Sequence, residues 1–191
     1  MASRSSVTNK IDNSVVTINL KKVRLIVVCQ HKNERDTNTF KAVQYNLARE
    51  YTARFGNKYE IVKIYAPNGE TLVDIINSYG ENMIRSMDIL SHSSHRALFM
   101  SEAGDLWGGD GLYISNWEQL WAIGIDGADI GEINFNNFTN NAHIEIHGCN
   151  GASEDYPDEN IVHKISILLF DAGKKKSYVI GHTTKNNPNI K

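Results

Sequence analysis

Two residues of this chain have the type and the setting for nucleophilic chemistry. Cys149 lies in the stretch Ala142-His143-Ile144-Glu145-Ile146-His147-Gly148-Cys149-Asn150-Gly151-Ala152, which reads as a strand ending on a glycine and carrying a thiol into a polar turn. A thiol is a weak nucleophile until its proton leaves, with a free pKa of about 8.5, and an imidazole within reach takes that proton during attack. His92, at the end of Met87-Asp88-Ile89-Leu90-Ser91, is the candidate base, with His95 as its competitor. Acyl transfer also needs hydrogen-bond donors aimed at the developing oxyanion, a role open to the amides of Cys149 and Ser93. Gly148 and Gly151 let the backbone approach a substrate closely.

The elements that must position this pair follow from periodicity. Val23 to Cys29 is a near-continuous run of branched apolar residues, the pattern of a strand buried on both faces. Cys29 is expected to pack there as a small apolar group. Phe40, Val43, Leu47, Tyr51 and Phe55 recur at helical spacing, with Asp36, Thr37 and Thr39 as candidate N-caps and Gly56 as a stop. Tyr59 to Tyr65 reads as a second strand closed by Pro67-Asn68-Gly69, and Leu72, Ile75, Ile76 and Tyr79 as a short helix ending at Gly80. Met87 to Ser91 is the third strand, Ile144 to His147 the fourth and Ser177 to Gly181 the fifth, with a helix marked by Ile161, Ile165, Leu168 and Leu169 stopping near Gly173. Val15 to Leu20 is a candidate edge strand. Leu98 to Asn116, with Gly104, Gly108, Gly109 and Gly111, reads as a long loop or small hairpin above the sheet, and Trp117 to Ile130 as partly helical.

Alternation of strand and helix predicts an α/β fold: a three-layer sandwich in which a mostly parallel sheet is flanked by helices. Sites in such sheets form where the loops leave the carboxyl ends of the strands. His92 and Cys149 both fall at such ends, and face one another if the third and fourth strands are neighbours.

At 191 residues the chain is long enough for one domain with a full core and short for two. The expected division is a polar tail over 1–14, one domain over 15–184 and a second polar tail over 185–191. Lys plus Arg is 20 against 22 for Asp plus Glu, so no basic excess is available for a phosphate backbone, which argues against nucleic acid as a partner. No apolar run approaches the ~20 residues of a membrane helix, and residues 1–13 lack the apolar core of a secretory signal. Two cysteines argue against a disulfide framework and fit a reducing compartment. The expected location is cytoplasmic, or exported without a cleavable signal.

An apolar strand ending in histidine, followed some fifty residues later by one ending in cysteine, resembles the caspase-like cysteine peptidases, a group that includes caspases, legumain, gingipain, separase and CHAT domains. The matching segments are Asp88-Ile89-Leu90-Ser91-His92 and Ile144-Glu145-Ile146-His147-Gly148-Cys149-Asn150-Gly151-Ala152, and the Cys-Asn-x-small ending looks most like the CHAT branch. The resemblance spans roughly Val23 to Thr184. It implies a caspase-like sheet and a cysteine endopeptidase without a cofactor, acting on a protein or peptide, with His92 as base and Cys149 as nucleophile. A bacterial effector or toxin is one setting for such a domain. One position departs: the glycine expected after the histidine is Ser93. The family holds a P1 side chain in a charged or polar pocket, for which Asp105, Asp110 and Glu145 are the acidic candidates, with Gly104 to Gly111 bordering the cleft.

Two other readings use the same residues. Alternate positions of a strand share a face, so His143, Glu145, His147 and Cys149 line up as a possible zinc set for a hydrolase. His31, His163 and His182 read as surface or hydrogen-bonded histidines, with His182 at a strand end near the proposed site. The third reading is a binding domain that keeps the fold without the activity. The sequence sets neither oligomeric state nor substrate.

Overall fold

The computed structural model describes residues 21–31, 33–100, 111–114 and 127–184. Its centre is a five-stranded sheet built from β1 (Val23–Cys29), β2 (Glu60–Ala66), β3 (Ile84–Leu90), β8 (Phe138–His147) and β9 (Tyr178–Gly181). The order is β2-β1-β3-β8-β9 and every pairing is parallel. β1 is buried along its whole length because strands flank it on both edges and helices cover both faces. The α/β sandwich expected from the alternation is the observed architecture.

Alternation along β1 assigns the layers. Leu25, Val27 and Cys29 join Leu72, Val73 and Ile76 of α2 (Gly69–Asn77) and Ile161, Ile165 and Leu169 of α3 (Ile161–Asp171) in the larger core. Ile26 and Val28, with Leu90 of β3, meet Phe40, Val43, Leu47 and Tyr51 of α1 (Glu34–Phe55). One helix therefore covers one face and two cover the other. Among the described residues no helix is long and apolar enough to cross a membrane.

Several boundaries differ from the sequence reading. α1 is capped by Asn33, whose side chain accepts from the Arg35 amide at 3.0 Å. The three residues expected to cap it lie inside its first turns, where Thr37 Oγ1 turns back to the His31 carbonyl and Thr39 Oγ1 to that of Arg35. Asn68 is a cap rather than part of a closing turn, and its side chain accepts from the Thr71 amide. Gly69, the first helical residue, lies so close to the Gly111 carbonyl that an added Cβ would stand 2.2 Å from the oxygen. β8 begins six residues before the expected start, at Phe138. Its register against β3 is interrupted between Ile84–Phe138 and Ser86–His143, and Asn140 and Asn141 are exposed there, which breaks the apolar pattern.

The segment expected as a loop or hairpin holds β5 (Ala97–Phe99) and β6 (Gly111–Tyr113), an antiparallel pair. With β4 (His92–Ser93) and β7 (Gly127–Asp129) they form a second, four-stranded sheet. Of the segment expected to be partly helical, the described residues are Gly127–Asp129, which form β7, and Ile130, which opens a 3-10 turn, Ile130–Glu132. The tails, the candidate edge strand, Asp105, Asp110 and Gly104 to Gly109 lie outside the described residues.

Candidate active site

β3 and β8 are neighbours in register, Leu90 opposite His147, so their outgoing loops leave side by side. Ser91, fully buried at the end of β3, shares its hydroxyl between the carbonyls of His92 and Phe99, each 2.8 Å away. That bond fixes the point where the chain turns from the large sheet into the small one. His92 follows with its side chain about half exposed. Its ring meets His31 edge-on at 4.7 Å and Phe40 at 5.4 Å between centroids, and its Nε2 lies 3.1 Å from Asp36 Oδ2. A carboxylate accepts, so the proton on Nε2 is the one that faces Asp36. The His92 amide donates to Nε2 of His31 at 3.4 Å. Burial, then the neighbouring His92, lowers the pKa of His31 to about 4, which keeps its ring neutral and able to accept.

Cys149 is partly exposed, whereas Cys29 is fully buried; neither forms a disulfide. Burial pushes the Cys29 thiol up to about 12, and of the two cysteines only Cys149 is partly exposed. The Cys149 turn is held from three sides. Ser93 Oγ donates to the Cys149 carbonyl at 2.6 Å, the Asn150 amide to Thr184 at 3.2 Å, and the Ala152 amide to His182 at 3.0 Å. Asn150 adopts a left-handed φ of 55°, which asparagine tolerates better than most residues. His182 thus lies beside the loop, as its strand-end position suggested, and takes part through its carbonyl.

Gly148 lies where the end of β3 packs against the Cys149 turn. An added Cβ would lie 2.3 Å from Ser93 Oγ and 2.8 Å from the Ser91 carbonyl. The space its missing side chain leaves is taken by the end of β3, so this glycine lets two loops approach closely. The serine in the place of the expected glycine, Ser93, is what fills that space.

His95 stacks on Tyr156, 3.9 Å between centroids and 8° from parallel, and its carbonyl accepts from the first amide of α3. Burial, then the adjacent Arg96, lowers its pKa. His163 sits in the first turn of α3, where its amide donates to the Asn160 cap.

The polar face of β8 forms a second constellation. Asp88 of β3, nearly fully buried, accepts from Tyr51 at 3.1 Å and pairs with His147 Nε2 at 3.2 Å. Glu145 lies 3.8 Å from the other nitrogen of His147 and 3.5 Å from Nε2 of His143, whose ring stacks on Tyr178. Burial, then Asp88, raises the Tyr51 pKa, and burial lowers that of His143 against the pull of Glu145. Donor atoms of Asp88, Glu145 and His147 all lie within 4.8 Å of one another; His143 and Cys149 are not part of that group. The zinc set read from the strand alone therefore changes membership, because a neighbouring strand supplies a donor and Cys149 lies beyond the end of β8.

Sequence reasoning placed His92 and Cys149 at adjacent strand ends but missed Asp36, His31 and Asp88. Asp36 has the sequence signature of a cap, and nothing local announces a partner 56 residues away. Asp88 did carry a signal, a carboxylate inside the otherwise apolar Met87–Leu90. A groove of about 730 Å³ runs along α1 and β2, lined by Tyr45, Arg49 and Lys63 among others, and touches neither constellation. No protein-family model, curated protein or solved structure matches the chain.

Proposed function

We propose that this chain is a cysteine endopeptidase of caspase-like type with a His92/Cys149 dyad. The observation that carries the reading is the joining of two strand ends. His92 and Cys149 leave neighbouring parallel strands, and the Ser93 hydroxyl clamps the Cys149 backbone to the residue after the histidine. Asp36 supports the same reading, since a base whose Nε2–H is held by a carboxylate presents Nδ1 in one tautomer.

In this reading Cys149 Sγ attacks the scissile carbonyl as its proton passes to His92 Nδ1. The amides of Cys149 and Ser93 hold the oxyanion. Collapse of the tetrahedral intermediate breaks the C–N bond, and the leaving amine takes the proton from His92. Water, deprotonated by the same imidazole, then hydrolyses the thioester and restores the thiol. The dyad needs no cofactor. Asp105 and Asp110 are carried forward as acidic candidates for a basic P1 side chain. Glu145 is the weaker third, because its carboxylate already sits among Asp88, His143 and His147. The substrate is a protein or peptide, met in the cytoplasm or after export without a cleavable signal.

The test is alkylation of the native protein by iodoacetamide between pH 5 and 9, followed at each cysteine by mass spectrometry, with peptide-library cleavage on the same samples. Cys149 should label fast below pH 7 while Cys29 stays protected. His92→Ala should slow labelling and abolish cleavage, Asp36→Ala should slow both, and His95→Ala should leave both near wild type. Cleavage that survives Cys149→Ala would refute the assignment, and slow labelling with no cleavage would leave a binding domain as the better account.

A further inference from the structure

The α1-side face of the sheet carries a set of donors that the thiol chemistry does not use. Asp88 comes from β3, and Glu145 and His147 from β8, with Asp88 directly opposite Glu145 and Leu90 opposite His147. Parallel register thus brings two carboxylates and an imidazole together on one face. Asp88 Oδ1 and His147 Nε2 are 3.2 Å apart, close to the ~3.3 Å between two ligands of a tetrahedral ion held at about 2.0–2.1 Å. A Glu145 oxygen completes a group within 4.8 Å.

The charge balance around this group is incomplete. The Asp88 side chain is 3% exposed, and a buried carboxylate is normally paired with a cation or bound to a metal. Among the described residues neither Asp88 nor Glu145 has a lysine or arginine at ion-pair distance; their ion-pair partners are the imidazoles of His143 and His147. The nearby guanidinium, Arg24, bonds instead to Ser86 at 3.1 Å and lies against the rings of Tyr51, Phe55 and Tyr59. A second sign is His143, whose Nε2 is closed off from solvent without a hydrogen-bond partner, 3.5 Å from Glu145 Oε2. The rim is open, since the side chains of Glu145 and His147 are 31% and 24% exposed.

We propose that Asp88, Glu145 and His147 form a binding site for one divalent cation of borderline hardness, such as Zn²⁺. A mixed set of one imidazole nitrogen and two carboxylate oxygens suits such an ion better than it suits Mg²⁺ or Ca²⁺, which prefer oxygen alone. Three protein ligands and an exposed rim leave room for water on the ion. The site is independent of the thiol reading, because neither His92 nor Cys149 contributes a donor.

The test is isothermal titration of the intact protein with ZnCl₂ at pH 7.5, with Co²⁺ absorption as a second readout. The expected result is one saturable equivalent. Asp88→Asn and Glu145→Gln, both near-isosteric, should each weaken binding at least about tenfold, with circular dichroism confirming the fold. Cys149→Ala and His92→Ala should bind as wild type, and the Co²⁺ spectrum should lack a thiolate charge-transfer band. Absence of saturable binding would overturn the proposal, leaving His147 as an ion-pair partner of two carboxylates. So would unchanged affinity in Asp88→Asn and Glu145→Gln, or a thiolate band that disappears in Cys149→Ala, which would return the ligand set to the one read from β8 alone.

Discussion

Replacing Gly148 with alanine tests how the loops that carry His92 and Cys149 are held together. The added Cβ would stand 2.3 Å from Ser93 Oγ, 2.9 Å from Ser93 Cβ and 2.8 Å from the Ser91 carbonyl. All three are well inside the ~3.5 Å at which nonbonded atoms rest. The serine hydroxyl cannot swing aside freely, because it donates to the Cys149 carbonyl. Gly148→Ala therefore loses that bond, worth about 1 kcal/mol, and adds overpacking of about 1–3 kcal/mol. Ser93→Gly alone loses the bond and gains chain freedom, together roughly 1.5–2 kcal/mol. In the double variant the two Ser93 contacts vanish and only the Ser91 carbonyl remains close, so the combined cost should fall short of the sum by about 1–2 kcal/mol. Urea unfolding of the four proteins measures that coupling, and iodoacetamide labelling of Cys149 reads the site. Ser93→Gly should keep fast labelling, while Gly148→Ala should slow it and the double variant should recover part of the loss. Stabilities that add to within ~0.5 kcal/mol would refute the reasoning, because the serine hydroxyl would then not be what reserves position 148 for glycine.

Two further predictions concern stability. Arg24→Ala should destabilise the fold by about 2–3 kcal/mol in urea unfolding, since the guanidinium lies 4.2–5.3 Å from three ring centroids and bonds to Ser86; Arg24→Met should recover most of the loss by refilling the volume between Tyr51, Phe55 and Tyr59, and equal losses in both variants would place the energy in the charge instead. His31 makes stability depend on acid: the unfolded chain protonates it near its ordinary ~6.5, whereas burial holds the folded chain's value at about 4. The unfolded state therefore binds more protons across that window, so the contribution is whole above pH ~6.5, falls with pH, and is gone below about 4. His31→Gln should flatten that part of the urea-midpoint profile, and an unchanged slope would assign the acid loss to other groups.

The arrangement of strands was legible because a parallel sheet writes itself into composition. A run such as Val23 to Cys29 has no polar face to hide, and its total burial is the physical meaning of that run. Adjacency of β3 and β8 could be conceived from alternation and the handedness of crossovers, and with it the placing of His92 and Cys149 at neighbouring strand ends. What was not legible depends on contacts between segments far apart in sequence. Asp36 has the composition of a helix cap, and only the fold turns it toward His92. Gly148 looks like a substrate-facing glycine, and only the position of Ser93 gives it another purpose. The strongest case is Asp88. In sequence it is one acid in an apolar strand. In the sheet it stands opposite Glu145, bonded to Tyr51 and His147, while the arginine nearest in chemistry is committed to aromatic rings and Ser86. A strand read alone offers every second residue as a potential ligand set, and that rule chose His143, Glu145, His147 and Cys149. A sheet chooses across strands as well as along them, and the across-strand register replaces a thiol beyond the end of β8 with the β3 carboxylate that stands opposite Glu145. The same register leaves Cys149 outside the donor group, so the thiol and the carboxylate–imidazole cluster are separate chemical resources on neighbouring parts of one strand and its loop.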